Sequence, residues 1–234
     1  MYKVTFQRLR VKISTGDKMT ALNTFLFDLD GTLINSNKVI IQSYEHAYKT
    51  HLPDRNISRK TIIDQIGPTL EETFSTHTKD PFLIKKLIET YQDYYKAHEK
   101  ELFELYEGVR STLKKLEDKG MNLAIVTNKY RDNAWPSIKY FGFHRLFDRI
   151  VTLDEVKRPK PNPESVHLAL KAFDSVEKAI MVGDNDSDIE AGNRAGILSA
   201  GVSWSIKGRA FLKSVQPDYM LENMQDIFNI MKKE

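Results

Sequence analysis

From Glu107 to the end, the chain alternates between helix-like stretches and short, continuous apolar runs. GVRSTLKKLEDKG leads into MNLAIVT, RDNAWPSIKYFG into DRIVTL, PESVHLALKAF into KAIMVGD, and DIEAGNRAG into LSAGVSW; PDYML and ENMQDIFNIMKK follow. A strand whose residues are apolar on both alternating faces must be covered on both sides. Strands separated by helices are joined in parallel, so the pattern predicts an α/β fold with a doubly wound parallel sheet. An earlier run of the same kind, TFLFD, ends at Asp28 and joins that sheet. In such sheets a ligand binds off the carboxyl ends of the strands, near the point where strand order reverses.

Residues 36–106 carry no strand pattern. SNKVIIQSYEHAYKT aligns Val39, Ile40, Tyr44, Ala47 and Tyr48 on one helical stripe. ISRKTIIDQIG opens on a capping Ser58 and stops at Gly67-Pro68; LEETFSTHT is a third helical pattern, and Asp80-Pro81 opens a fourth. The expected organisation is an α/β core of residues 19–35 and 107–234 with a small α-helical cap of residues 36–106. Hinges are expected near Ile34–Ser36 and Leu105–Gly108. Gly67-Pro68-Thr69 reads equally well as a plain turn and as a cap loop closing over a ligand.

The chain contains no cysteine, which excludes disulfides, thiol nucleophiles and zinc–thiolate sites. No apolar run approaches the ~20 residues that span a bilayer, and no secretory pattern is visible, so a cytoplasmic protein with no membrane partner is expected. The net charge of +3 comes from the N-terminus: residues 1–18 hold five basic residues against Asp17, and the remainder holds 30 basic and 31 acidic residues. A neutral body without an aromatic-interleaved basic stripe argues against nucleic acid. The basic extension, residues 1–18, is of doubtful origin. It reads either as an edge strand or loose tail, or as untranslated sequence ahead of a true start at Met19. Nothing in the sequence speaks to oligomeric state.

Chemically capable residues fall where strands end. TFLFD ends at Asp28 with Asp30 two positions on; LAIVT ends at Thr127, followed by Asn128; AIMVGD ends at Asp184, with Asp188 four residues later; and the loop KRPKPNP contributes Lys160. One polar strand end means little, but four on one sheet edge predict a site. Residues two apart in extended chain point to the same side, so Asp28 and Asp30 are expected to face one pocket. Two close carboxylates repel unless a cation neutralises them, and an all-oxygen set completed by Asp184 suits Mg²⁺. An Asp beside such an ion can be a nucleophile through an aspartyl phosphate, and its neighbour a general acid and base. Phosphoryl transfer needs positive charge and donors, which Lys160, Thr127 and exposed backbone N–H groups supply; Gly31 lets the chain turn tightly under the phosphate.

DLDGTL, VTN, KPNP and GDNDSD together, in this order, resemble the four motifs of the haloacid-dehalogenase-like phosphatase superfamily. The strings IGPTLEETF, TLDEVKRPKPNPE, IMVGDNDSDIEAGNRAG and IKGR…PDYMLENM narrow the resemblance to its bacterial pyrophosphatase branch, close to phosphoglycolate phosphatases. The resemblance covers the chain from about Met19 onward and implies a Rossmann-like core with a small helical cap. It implies Asp28 as nucleophile, Asp30 as general acid and base, and Thr127, Asn128, Lys160 and Gly31 around the substrate. It further implies Mg²⁺ held by Asp28, the backbone carbonyl of Asp30 and Asp184, with Asp188 in support, and a small phosphorylated substrate. The activity implied is hydrolysis of inorganic pyrophosphate. Hydrolysis of an organic monoester such as phosphoglycolate, a sugar-phosphate mutase, and a non-enzymatic phospho-receiver are the alternatives; a built-in hydrolytic base in Asp30 argues against the last.

One departure carries an expectation of its own. Many relatives read DGTL-x-DS where this chain reads DGTLINSN, with Asn35 in place of the acid. A lost negative charge near a phosphate pocket would favour the more highly charged pyrophosphate. Other motif readings fail: DNDSDIE lacks the glycine and glutamate of a calcium loop, no GxxxxGK[ST] exists, and GVSWS lacks the last glycine of a nucleophile elbow. Tyr91, Tyr94 and Tyr95 are expected to serve helix packing.

Overall fold

The computed structural model describes residues 21–234; the extension of residues 1–18 and the question of a start at Met19 lie outside the described residues. The strands are β1 (Leu22–Phe27), β2 (Ile34–Asn35), β3 (Glu104–Leu105), β4 (Asn122–Val126), β5 (Arg149–Val151), β6 (Lys178–Gly183), β7 (Leu198–Val202) and β8 (Tyr219–Leu221). Six of them form one sheet in the order β5-β4-β1-β6-β7-β8, and every neighbouring pair is parallel. The chain adds β4 and β5 on one side of β1 and β6 to β8 on the other, so strand order reverses at β1.

The continuous apolar runs reflect burial on both faces of this sheet. Phe25, Phe27, Leu123, Ile125, Ile180 and Val182 belong to one core cluster; Leu26, Ala124, Val126, Ala179 and Met181 belong to another. Alternate residues of the same three central strands thus serve opposite faces. Phe25 and Phe27 are fully buried, each stabilising the fold by roughly 1.5–3 kcal/mol.

Four helices fill the stretch between β2 and β3: α1 (Asn37–His51), α2 (Arg59–Asp64), α3 (Leu70–Ser75) and α4 (Pro81–Leu102). Tyr44, Tyr48, Ile62, Phe74, Leu87 and Tyr91 give this insertion an apolar cluster of its own. Ser58 and Asp80 cap α2 and α4 as the sequence suggests, and Thr69 with Glu72 forms a capping box on α3. The core helices are α5 (Val109–Asp118), α6 (Arg131–Tyr140), α7 (Glu164–Leu170), α8 (Asp186–Arg194), α9 (Arg209–Ser214) and α10 (Ile227–Ile230).

Two details depart from expectation. Glu104 and Leu105, in a stretch without a strand pattern, pair antiparallel with Asn35 and Ile34, binding the two crossings between core and insertion side by side. A two-residue strand is too short to leave a periodic pattern. The start of α8 is Asp186 rather than Asp188, because Asn185 caps it and Asp188 returns to the Asn185 backbone as the third helical residue. No helix of the described residues is long and apolar enough to cross a membrane.

Candidate active site

The carboxyl ends of β1, β4 and β6 converge on a cavity of about 140 Å³, roofed by the insertion. Asp28, Asp30, Thr127, Asn128, Lys160, Asp184 and Asp188 all line it. Gly31 stands just beneath. It has φ +84°, and a Cβ there would lie 2.2 Å from Asp184 Oδ2, so the turn after β1 passes Asp184 at a distance only glycine allows. Gly183 plays the same part on the other side, where a Cβ would overlap that of Asp188 at 2.1 Å.

Lys160 is the electrostatic centre. Its ammonium donates to Asp28 Oδ1 at 2.7 Å, Asp188 Oδ1 at 2.6 Å and the Val126 carbonyl at 2.7 Å, which uses all three of its donors. Burial opposes its charge, but Asp188 and Asp28 more than offset that and hold the group well above its usual range. Asn128 clamps the Lys160 backbone from both sides: its Oδ1 accepts from Lys160 N at 2.9 Å and its Nδ2 donates to Lys160 O at 3.0 Å. The Asn after Thr127 therefore sets where the lysine stands. Thr127 itself is buried, takes its place beside β5 through Thr127 N and Val151 O at 3.0 Å, and accepts from Lys129 N at 3.2 Å.

Three buried carboxylates lie around that ammonium, which pairs with two of them, Asp28 and Asp188. Oxygens of Asp28, Asp184 and Asp188 lie within 4.8 Å of one another. Burial, partly offset by Lys160, pushes the Asp28 carboxyl up to about 7. Burial, with the charges of Asp188 and Asp28, pushes Asp184 well above the usual carboxylate range. Such a cluster lacks positive charge, and an all-oxygen donor set of this kind fits a hard divalent cation. Supporting bonds hold the donors in place: Thr32 Oγ1 donates to Asp184 Oδ1 at 3.1 Å, Ser205 Oγ to the Asp184 carbonyl at 2.7 Å, and Asn185 N to Asp188 Oδ2 at 3.0 Å.

Asp28 and Asp30 share the cavity, but they do not share a counter-charge. The chain leaves extended geometry after Phe27, Leu29 turns into the core, and the Asp30 side chain swings to Lys129, with Oδ2 at 2.9 Å from its Nζ. Only Asp28 belongs to the metal-ready oxygen set. The other oxygen, Asp30 Oδ1, is buried and has no hydrogen-bond partner among the described residues. Lys129 also donates to the hydroxyl of Tyr95 on α4 at 2.6 Å and lies 4.2 Å from the centre of that ring. Sequence reasoning passed over Lys129 and assigned Tyr95 to packing. Tyr95 and Tyr91 do pack, but both also line the cavity, whereas Tyr94 stacks on His98 away from it. The available signal was the position of Lys129, one residue past a strand-end motif.

The loop Ile66–Thr69 lies on the core. Asn185 Nδ2 donates to Ile66 O at 2.8 Å, and Asn128 Nδ2 reaches Gly67 O at 3.3 Å. Gly67 has φ +126°, and a Cβ there would meet the Asn185 side chain at 2.5 Å. The segment is a turn, with Thr69 capping α3, and it lines the cavity from the insertion side. Asn35 is a correction. It does not line the cavity; its Nδ2 donates to Glu104 Oε1 at 2.8 Å across the β2–β3 pair, so the expected link between Asn35 and substrate charge has no contact to rest on.

A family model described as haloacid dehalogenase-like hydrolase matches residues 25–202. The pyrophosphatase PpaX of Halalkalibacterium halodurans is 43% identical over 211 residues, covering 90% of this chain and 97% of that protein. The protein of the same name from Bacillus cereus strain Q1 is 42% identical over 211 residues, covering 90% of this chain and 96% of that protein. Among solved structures, one described as a predicted phosphoglycolate phosphatase from Haemophilus somnus superimposes with TM-score 0.79 at 26% identity, over 91% of this chain and 99% of that one.

Proposed function

Since the chain belongs to the haloacid dehalogenase-like hydrolases, we propose that it is a cytoplasmic Mg²⁺-dependent pyrophosphatase that works through a phosphoaspartate on Asp28. The observation that carries this reading is the division of labour on the cavity floor. Asp28 is gripped by Lys160 inside an acidic oxygen cluster, while Asp30 stands apart with one buried oxygen free to exchange a proton. The names of the relatives support the choice of substrate.

In the first step a carboxylate oxygen of Asp28 attacks phosphorus in line with the bridging oxygen. The bond from phosphorus to that oxygen breaks, the electron pair stays on the oxygen, and Asp30 delivers a proton to it, so phosphate departs. In the second step Asp30 takes a proton from water, the water oxygen attacks phosphorus, and the bond to Asp28 breaks to release the second phosphate. Thr127 binds an equatorial oxygen of the transferring group, and Lys160, its three donors engaged and its position kept by Asn128, places positive charge beside that group. The carboxylates of Asp28 and Asp184 and the Asp30 carbonyl would hold Mg²⁺, with Asp188 in support. The bound ion would counter the burial that pushes Asp28 up toward neutral pH and so keep the nucleophile ionised. Residues 36–106 act as a cap whose closure excludes water until the phosphoaspartate has formed.

Phosphate release measured with Mg²⁺ from pyrophosphate, phosphoglycolate and a sugar phosphate tests this, with Asp28→Asn as control. Pyrophosphate leading by an order of magnitude, with the variant dead, is the expected result. Activity that survives in Asp28→Asn would refute the mechanism. One observation favours a second reading, an organic monoester as substrate: the cap lines the cavity with Ile40, Leu70, Tyr44, Tyr91 and Tyr95 and supplies no cation to it. Phosphoglycolate ahead of pyrophosphate would establish that reading and keep the mechanism.

A further inference from the structure

The absence of cations on the cap side raises a question about charge. A departing phosphate carries at least one negative charge more than a departing alcohol, and something in the cavity must meet it. Among the described residues that line the cavity, only Lys160 and Lys129 are cationic. The Lys160 donors are all engaged on the Asp28 side. Lys129 stands on the other side, against Asp30, the acid that touches the leaving oxygen in the proposed reaction.

Building on that reading, we propose that Lys129 is the receptor for the leaving phosphate. Tyr95 is the cap residue that positions it, and the pair selects a phosphate over a neutral alcohol as leaving group. Three features support this. The Lys129 ammonium has three donors; the Tyr95 hydroxyl accepts one, Asp30 Oδ2 pairs with the charge at 2.9 Å, and no further acceptor bonds it among the described residues. Its side chain is 14% exposed, so a phosphate oxygen reaching it would interact in a largely dehydrated setting where an ion pair is strong. Tyr95 holds it twice, through the hydroxyl at 2.6 Å and the ring face at 4.2 Å. Tyr95 lies on α4, so this part of the lysine's hold lasts only while the cap lies over the core. A neutral leaving group gains little from this arrangement; a phosphate gains a charge-assisted contact.

Binding separates this role from a purely structural one. Methylenediphosphonate, which does not hydrolyse, offers one group to the Asp28 side and a second to the leaving-group side; inorganic phosphate offers one. With Mg²⁺ present, calorimetry on Lys129→Met should show diphosphonate binding weakened on the order of tenfold to a hundredfold, the range of one charge-assisted hydrogen bond. Phosphate affinity should change less than about threefold if that contact is absent from the phosphoryl side. Lys129→Arg should recover much of the loss, and Tyr95→Phe should weaken the diphosphonate alone by a smaller factor. Should Lys129→Met not fold, Lys129→Gln and Tyr95→Phe carry the same comparison. Equal weakening of both ligands, or an unaffected diphosphonate, overturns the inference. A wild-type protein that binds the diphosphonate in this Lys129-dependent way yet does not hydrolyse pyrophosphate would sink the proposed activity and leave the subsite standing.

Discussion

Gly67→Ala isolates the contact between the helical insertion and the core. Gly67 sits at φ +126°, outside the backbone region that side chains tolerate, and an added Cβ would stand 2.5–2.6 Å from three atoms of the Asn185 side chain. Holding a non-glycine residue in such a conformation costs roughly 1–3 kcal/mol. Moving the loop to relieve the overlap gives up the bonds from Asn185 to Ile66 O and from Asn128 to Gly67 O, each about 0.5–1.5 kcal/mol. Either route costs the closed arrangement about 1–3 kcal/mol, and an open loop escapes the penalty by relaxing. If turnover requires closure, kcat/KM for pyrophosphate with Mg²⁺ should fall about fivefold to 150-fold, since 1.36 kcal/mol is a factor of ten. The melting temperature should move by only a few degrees, because the apolar clusters are untouched. Gly120→Ala is the control: it has φ +72° but nothing within 4 Å of its Cβ, so it should cost stability through backbone strain and leave activity alone. Gly67→Ala with activity within threefold of wild type would refute the claim that the docked loop is the working state.

Lys160→Met leaves Asp28 and Asp188 buried without their ammonium, and should destabilise the metal-free protein by about 3–5 kcal/mol; denaturant unfolding with and without Mg²⁺ should show the ion recovering part of that loss. In wild type the Asp28 carboxyl stands at about 7 against an ordinary 3.8, so the unfolded chain ionises first and the folded chain holds the extra proton between about pH 4 and pH 7. Rising pH should therefore lower the stability of the chelated protein through that window, and the gain in melting temperature on adding Mg²⁺ should be larger at pH 8 than at pH 5. Thr32→Val removes the hydroxyl that orients Asp184 and should weaken Mg²⁺ binding about 10- to 100-fold by titration calorimetry while leaving the fold intact. Asn35→Asp should set a carboxylate against Glu104 and cost a few tenths to about 1 kcal/mol in thermal unfolding, with the KM ratio of pyrophosphate to phosphoglycolate unchanged within about twofold.

The sheet was legible because a strand buried on two faces has few polar positions to spare: Asn122–Val126 is buried throughout, and each residue from Leu123 to Val126 serves one cluster or the other. The strand-end polar residues were legible for the complementary reason, since Asp28, Thr127 and Asp184 interrupt runs that would otherwise stay apolar. Contacts that depend on where a side chain turns after the strand ends left no such trace. Two positions of spacing suggested a shared cation for Asp28 and Asp30, yet the turn at Gly31 sends Asp30 to a different lysine. Asn128 looks like any polar strand-end residue until its amide is seen closing on the Lys160 backbone 32 residues away. The β2–β3 pair and the six-residue α9 fall below the length at which periodicity speaks.

The two lysines of the cavity divide the work in a way their surroundings explain. Lys160 is 2% exposed, bonded three ways, and carried by a loop clamped to β4, so its position does not depend on the helical insertion. A group held like that suits the step every phosphoryl substrate shares. Lys129 is anchored through Tyr95 on the insertion, and its charge is balanced by Asp30, the acid proposed to move a proton. A group held like that responds to what lies above it. Altering the floor should therefore stop the chemistry for all substrates alike, whereas altering the roof or Lys129 should change which leaving group is accepted. This asymmetry follows from the wiring of the two ammonium groups rather than from the size of the cavity, so a substitution that only widens the roof at Ile40 or Leu70 should change affinity for bulky esters without improving or impairing discrimination for phosphate.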